Sequence, residues 1–585
     1  MISFTSRPEN PRKDRLMNKK NLPLIFLCAS IVFLFPRDSA GVERLKTPAE
    51  EEGYTRYSQN EAIARFLSSL DFLSREVTVQ VVGKTLGVEE LPPQDIFLIV
   101  ITEEGAAFPE QANRKKPTVF LFASQHGNEQ SPKEAALWLA RDLALGELRP
   151  LLTKANFLII PQANPLGNWL DRRQNEQGLD LNRDHVKLES PEVRAIHHVF
   201  RAWMPEVTID GHEKGDDYYR ISLGCVSNAN IDPLLQQYSR NTILAEVRKS
   251  LAEERVTFHE YLVTEEIGFD TAAGVSYPAP ELAGREEMTR YSTTDINDGR
   301  NSLGIYETLS FIQEGASRHD LVTLEQRTRW QYLGLRSFFE AVAGHAEDIV
   351  TMVTGLRARL FQREERNLEQ DSVQLRMKYV RDESAPTLTI KAFKRTDSPI
   401  LGVLKADRKA GEVVTRSDLA PYPYPRRSEV QTRVIKNWFP GVAPTASVSV
   451  PDGYVIPAGH QDVVDVLLAH GLQVGLFSAD IVLDVEAYRA REVVPSRYDY
   501  LPPEKIDVEN ESLRIVAKKG DCFISCSQAG ANLIPCLLEP QSQYGLIRYW
   551  TFTLVPDKGD FFAFARLTRS AELPLVPYRR WEVSR

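Results

Sequence analysis

The stretch that most constrains this chain is Pro117-Thr-Val-Phe-Leu-Phe-Ala123, which runs into Ser124-Gln-His126-Gly-Asn-Glu129 and then into Ser131-Pro-Lys-Glu-Ala-Ala-Leu-Trp-Leu-Ala-Arg-Asp-Leu143. The first segment is apolar throughout and rich in β-branched and aromatic side chains, the pattern of a strand buried on both faces. The last has helical apolar spacing, with Pro132 placed to open the helix. His126 and Glu129 therefore sit in the turn where a buried strand delivers the chain into a helix. Two ligand-type side chains three apart in such a turn can point at one metal ion, and imidazole nitrogen with carboxylate oxygen suits Zn²⁺. Alone, an H-x-x-E pair is weak, and the rest of the chain has to decide.

The same grammar recurs. Residues 77–82, 95–102, 155–160, 207–210 and 308–313 read as further strands, and 58–70, 191–203 and 321–343 as helices. Alternation of this kind predicts an α/β fold with a mixed, mostly buried sheet flanked by helices. After His345 the character changes. A charged helical stretch is followed by strands, by the rigid Pro421-Tyr-Pro-Tyr-Pro-Arg-Arg427 segment and by a strand-rich remainder. At 585 residues the chain exceeds one core. The expected division is 41–345 as the main domain, 346–372 as a helical connector and 373–585 as a smaller strand-rich region.

The N-terminus reads as a secretory signal peptide over residues 1–40. Lys19-Lys20 precede an apolar run from Leu22 to Phe35 and a small-residue exit at Ala40-Gly41, and Met17 is a possible start. The run is short and interrupted by Pro23 and Pro36, so stable insertion in a membrane is not expected, although an uncleaved anchor is the alternative. The mature chain is expected to be secreted or periplasmic. A formal net charge of −9 argues against nucleic acid as a partner. Cys225, Cys522, Cys526 and Cys536 contain no C-x-x-C pair, which disfavours a four-cysteine structural zinc site, and their pairing cannot be read.

Four polar clusters follow apolar strands: His126 with Glu129; Asn164-Pro-Leu-Gly167 leading to Arg173, Asp180, Asn182 and Arg183; His212 in Asp210-Gly-His-Glu213; and Glu314 in Gln313-Glu-Gly-Ala316. Ligands of open α/β sheets bind outside the carboxyl ends of the strands, so these residues converge on one rim. Two histidines and a glutamate leave a metal an open position, the arrangement of a hydrolytic site. Through His126-Gly-Asn-Glu129, Asn164-Pro-Leu-Gly167, the run from Arg173 to Asp184, Asp210-Gly-His212-Glu213 and Ser310 to Gly315, the chain resembles the zinc carboxypeptidases (M14, funnelin type). It is similar to large bacterial members with a C-terminal extension.

That resemblance implies one Zn²⁺ held by His126, Glu129 and His212, with Asp180 orienting His126. It further implies Asn182 and Arg183 on the free C-terminal carboxylate of a peptide substrate, Arg173 on the scissile carbonyl and Glu314 as general base. The family's mobile tyrosine has its nearest counterpart in Tyr291, in a poorly matching segment. The activity so implied is removal of C-terminal residues from peptides. The alternatives are amide hydrolysis on cell-wall peptides or N-acyl amino acids, and a non-catalytic peptide- or glycan-binding relative. Glu307 competes with Glu314, but the two flank a strand and lie about 20 Å apart at roughly 3.3 Å per residue. His185, His197, His198, His259, His319, His460 and His470 read as surface or packing residues. Glu213 and Asp216-Asp217 read as pocket or solvated loop.

Overall fold

Apolar runs with no polar alternation have to be covered on both faces, and the fold does this with a central sheet between helices. The computed structural model describes residues 44–89, 91–214, 219–266, 287–316, 324–362, 371–404, 419–569 and 572–578. The expected signal peptide, His319 and Asp216-Asp217 lie outside them. The first ten strands are β1 (Val77–Lys84), β2 (Asp95–Ile101), β3 (Thr118–Ala123), β4 (Asn156–Ile160), β5 (Val207–Lys214), β6 (Ile221–Cys225), β7 (Phe258–Glu260), β8 (Val263–Glu266), β9 (Glu287–Arg290) and β10 (Leu309–Ala316). Eight of them form one mixed sheet in the order β1-β2-β4-β3-β5-β10-β6-β7. Its centre, β4-β3-β5-β10, is parallel. The outer pairs β1–β2, β2–β4 and β6–β10 are antiparallel.

Helices Ser131–Leu145 and Leu324–Gly344 cover one face, where Phe157 stacks on Phe339 and Phe311 meets Phe338 edge-on. Helix Pro191–Trp203 packs on β1 and β3. It starts where Ser190 caps it and Pro191 occupies its first position, and Asp184 accepts from the backbone and hydroxyl of Ser190.

Two strands differ from expectation. β5 runs on to Lys214 and β10 to Ala316, so His212 and Glu314 lie inside strands rather than just beyond them. The parallel ladder continues through Glu314↔His212 to Ala316↔Lys214. Hydropathy stops marking the strand at Asp210 and Gln313 because the residues beyond are polar or small instead of large and apolar.

Beyond His345, helix Ala346–Phe361 sends Arg357 to the carbonyls of Tyr306, Met204 and Pro205. The strand-rich remainder holds a seven-stranded sheet and two smaller strand pairs, Ser372–Val380 with Gly441–Ser449 and Leu388–Leu404 with Leu419–Ile435. Residues 45–585 form one compact unit, and its core is continuous across residue 345. Among the described residues no helix is long and apolar enough to cross a membrane.

Three histidines from separate segments meet in this core. His185 Nδ1 lies 3.1 Å from His197 Nε2, the His197 and His470 rings meet edge-on at 5.3 Å, and His470 Nε2 donates to the Val186 carbonyl. Burial pushes His185 down to about 3 and His470 to about 4, and holds His197 well below its ordinary value, with Arg201 adding to the effect. The unfolded chain therefore binds more protons than the folded one below the usual histidine pKa of about 6.5. This contribution to stability is complete above that value and is lost as pH falls towards the folded values, at about 1.4 kcal/mol per pH unit for each histidine. The urea midpoint should drop between pH 7.5 and pH 5. His197→Phe should flatten that drop, and a slope equal to the parent's would refute the assignment.

Candidate active site

The turn after β3 is built from close backbone approach. Ser124 takes a left-handed conformation (φ 59°), its amide donates to the Gly211 carbonyl and its Oγ to the Glu129 carbonyl. A Cβ on Gly127 would fall 2.0 Å from the Gly167 carbonyl carbon, so glycine is required where this turn rests on the Asn164-Pro-Leu-Gly167 segment. Asn164 braces the contact, donating to the Gln125 carbonyl and accepting from Gly167 N–H. Lys133, fully buried, ties Asn168, Gln130 and the Ser58 carbonyl together beneath it.

The turn brings His126 and Glu129 to His212 on β5. Their ligand atoms all lie within 4.8 Å of one another, and all three residues are buried. Glu129 Oε1 is 2.8 Å from His126 Nδ1, Oε2 is 2.8 Å from His212 Nδ1, and the two Nδ1 atoms are 3.2 Å apart. The opposite ring nitrogens face carboxylates, His126 Nε2 with Asp180 Oδ1 at 3.0 Å and His212 Nε2 with Asp210 Oδ2 at 2.8 Å. Those acceptors place the ring protons on Nε2, so both Nδ1 lone pairs converge with the Glu129 oxygens on one point. Burial opposes charge at His212, yet Asp210 and Glu129 outweigh it and favour positive charge there. Convergent lone pairs and a carboxylate in an environment that favours a cation fit a divalent metal with nitrogen and oxygen ligands.

Asp180 is presented by the turn that Asn175 closes on the amides of Gln177 and Leu179, with Gly178 at φ 81°. Its second oxygen accepts from Arg173 Nε at 2.8 Å, and Arg173 Nη1 reaches His126 Nδ1 at 3.2 Å. Burial works against the Asp180 carboxylate, but His126, Arg173 and Arg183 hold its pKa well below the usual range. Arg183 donates to the Asn182 carbonyl and, among the described residues, forms no ion pair. Asn182 accepts from Gly299 N–H and lies 3.2 Å from His212 Nε2.

Glu314 stands opposite His212 in the ladder, so both side chains leave the sheet on the same face. Among the described residues its Oε2 has no hydrogen-bond partner, and burial pushes the carboxyl up to about 7, with Glu129 adding to the rise. Glu307, at the other end of β10, is buried and not solvated, and accepts from the Asp232 amide and Asn532.

Tyr291 is not brought to this cluster. It is packed, 2% exposed, with its hydroxyl accepting from Cys225 N–H and Arg240 over its ring. Glu213 is buried, held by Ser131 and Arg327 on the opposite face of β5. Sequence reasoning missed Asp210 as the partner of His212. The signal was there, because in a strand an Asp-x-His pair points both side chains to one face.

A family model described as zinc carboxypeptidase matches residues 63–214. Carboxypeptidase 2 of Trichophyton rubrum is 23% identical over 499 residues, covering 80% of this chain and 81% of the relative. Carboxypeptidase 2 of Trichophyton tonsurans is 22% identical over 502 residues, with the same shares of 80% and 81%. Among solved structures, a metallo-carboxypeptidase from Burkholderia cenocepacia aligns with TM-score 0.37 and 20% identity over 50% of this chain and 71% of that one. Carboxypeptidase A from Helicoverpa armigera aligns with TM-score 0.37 and 16% identity over 50% and 75%.

Asp210 holds His212 by Nε2, the ring nitrogen turned away from the point where the Nδ1 lone pairs converge. Asp210→Asn should weaken divalent-metal binding by about 10–100-fold, read by titrating metal-stripped protein against a chelating indicator. Unchanged affinity would show that Asp210 does not orient His212.

Proposed function

The chain belongs to the zinc carboxypeptidase family and is a metallocarboxypeptidase, and from that premise we propose how its own residues release the last residue of a peptide. The observation that carries the reading is the convergence of His126, Glu129 and His212, with Glu314 facing His212 across the ladder. His126, Glu129 and His212 would hold Zn²⁺, which supplies Lewis acidity to a water and to the scissile carbonyl.

Arg183 and Asn182 take the terminal carboxylate. The guanidinium forms no ion pair among the described residues, and a charge-assisted pair fixes the peptide's end. Arg173, anchored through Nε to Asp180, turns its remaining donors towards the carbonyl oxygen, where negative charge develops. Glu314 accepts the proton of the attacking water at its partnerless Oε2 and hands it to the departing amine. Three small or bonded supports, Gly127, Asn164 and Asp210, keep the ligands aligned during this transfer.

One kinetic series tests these roles. Glu314→Gln should retain metal and lose about 10²–10⁴ in kcat, the usual share of general acid–base catalysis. Glu307→Gln should keep kcat within a few-fold. Arg183→Ala should raise KM for free-carboxylate peptides, at a cost on the order of 2–5 kcal/mol, and blunt the preference over amidated termini. An unchanged preference would favour an endopeptidase or deacylase.

We further propose that the protein is exported, on the strength of the basic, apolar and small-residue succession over residues 1–40. Intact-mass analysis of the protein recovered outside the cytoplasm should find a chain beginning near Gly41. Recovery only as the full-length intracellular chain would overturn that.

A further inference from the structure

One buried cation near the site has no part in the roles above. Arg300 is 1% exposed, and its Nη2 donates to Asp298 Oδ2 at 2.7 Å. Among the described residues its Nε and Nη1 have no hydrogen-bond partner. A buried donor left unmet costs about 1–3 kcal/mol, more when charged, so a protein keeps such a group where a ligand meets it or where strain is useful.

The strand registers say where this guanidinium lies. On β10, Ile312 and Glu314 share a face, and on β6 their partners are Gly224 and Ser222. A Cβ on Gly224 would lie 3.3 Å from Arg300 Nη1 and 2.7 Å from Tyr261 Cβ. The guanidinium thus hangs over the Ile312–Gly224 pair, one step and roughly 7 Å along the strand from the Glu314–Ser222 pair. Glycine at 224 leaves room for Tyr261 and the guanidinium to pack on the sheet at that point.

The segment carrying Arg300 is laced to the carboxylate-binding residues. Gly299 N–H donates to Asn182 Oδ1 at 2.8 Å, and Asn297 Nδ2 donates to the Arg183 carbonyl at 2.5 Å. Tyr261 flanks the same space, its ring centroid 5.8 Å from Arg300 and 4.7 Å from Lys214 Nζ. Burial first, then the charge of Glu314, raise the Tyr261 pKa, while Arg300 and Arg183 pull it down, so all three charges reach this hydroxyl.

A peptide with its terminal carboxylate on Arg183 and its scissile bond at Glu314 sends its last side chain between them. We propose that Arg300 determines specificity for that side chain, and that the enzyme removes C-terminal glutamate or aspartate in preference to neutral or basic residues. The inference rests on the reading under "Proposed function". The side-chain carboxylate would accept from Nη1, completing a guanidinium whose other end is already held by Asp298. A terminal lysine or arginine would instead bury like charge against Arg300. Arg183, committed to the terminal carboxylate, cannot serve both groups.

The test is a panel of N-acylated dipeptides differing only in the last residue (Glu, Asp, Gln, Leu, Lys), assayed on the full zinc-loaded chain. Wild type should favour Glu or Asp over Leu and Lys by about tenfold or more in kcat/KM. Arg300→Gln should lose about 10²-fold or more on the acidic substrates and stay within a few-fold on Leu, since removing the partner of a desolvated charge acts on that substrate alone. Equal or better turnover of Leu or Lys by wild type overturns the proposal, and that measurement needs no folded variant. An equal loss on every substrate in Arg300→Gln also overturns it, because Arg300 would then be a brace for Asp298. Absence of hydrolysis at any terminus would overturn the carboxypeptidase reading itself, a result distinct from hydrolysis without acidic preference.

Discussion

In the β5–β10 ladder Glu314 stands opposite His212 and Gln313 opposite Gly211. Side chains alternate between faces, so a slip of one residue would turn Glu314 into the helix layer and take its carboxylate away from His212. Helix Leu324–Gly344 holds the register. Gln313 donates to the backbone and side-chain oxygens of Gln331, and Gln331 donates in turn to the His212 carbonyl. One buried amide thereby reads both strands at the step where the site needs them aligned. Gly315 and Gly334 leave room for the two glutamines, since a Cβ at either would fall within 2.5 Å of an amide atom.

This explains what the sequence could and could not disclose. The apolar runs at β2, β3 and β4 are legible because burial on both faces leaves no alternation, and the turn at His126 is legible because a helix opens immediately after it. The last residues of β5 and β10 were not, because they are polar or small, such as Glu213, buried by its pair with Arg327, and Glu314 with Gly315, which hydropathy scores as surface. Arg300 and Lys133 escaped for the same reason. A charged residue reads as solvated until the carboxylates and carbonyls around it are known. His185, His197 and His470 were read as surface or packing, and the structure makes all three packing, although 285 residues of sequence separate His185 from His470.

The strand-rich C-terminal region reaches the site indirectly. Arg548, 1% exposed, grips both oxygens of Asp295, and the Tyr379 hydroxyl accepts from the Thr294 amide. Asp295 begins the segment whose Asn297, Gly299 and Arg300 line up with Asn182 and Arg183. A buried ion pair is weak evidence of added stability, because desolvation consumes much of the attraction, but it strongly specifies one geometry. The loop next to the substrate end is therefore anchored from residues far away in sequence, which an isolated N-terminal half would lack.

Charge balance gives the site its remaining logic. Glu129, Asp180, Asp210 and Glu314 crowd around two imidazoles, and Arg173 ion-pairs with Glu129 and Asp180. Low dielectric magnifies repulsion among such groups, so they coexist only if a cation sits among them or a proton is taken up. The different environments then divide the labour. Asp180, hydrogen-bonded to Arg173 and His126, stays ionised, whereas burial leaves Glu314 with a raised carboxyl pKa and a bare Oε2. Two carboxylates are thus pushed in opposite directions by burial and partners, which accords with the duties proposed for them, one holding a ligand in place and the other carrying a proton.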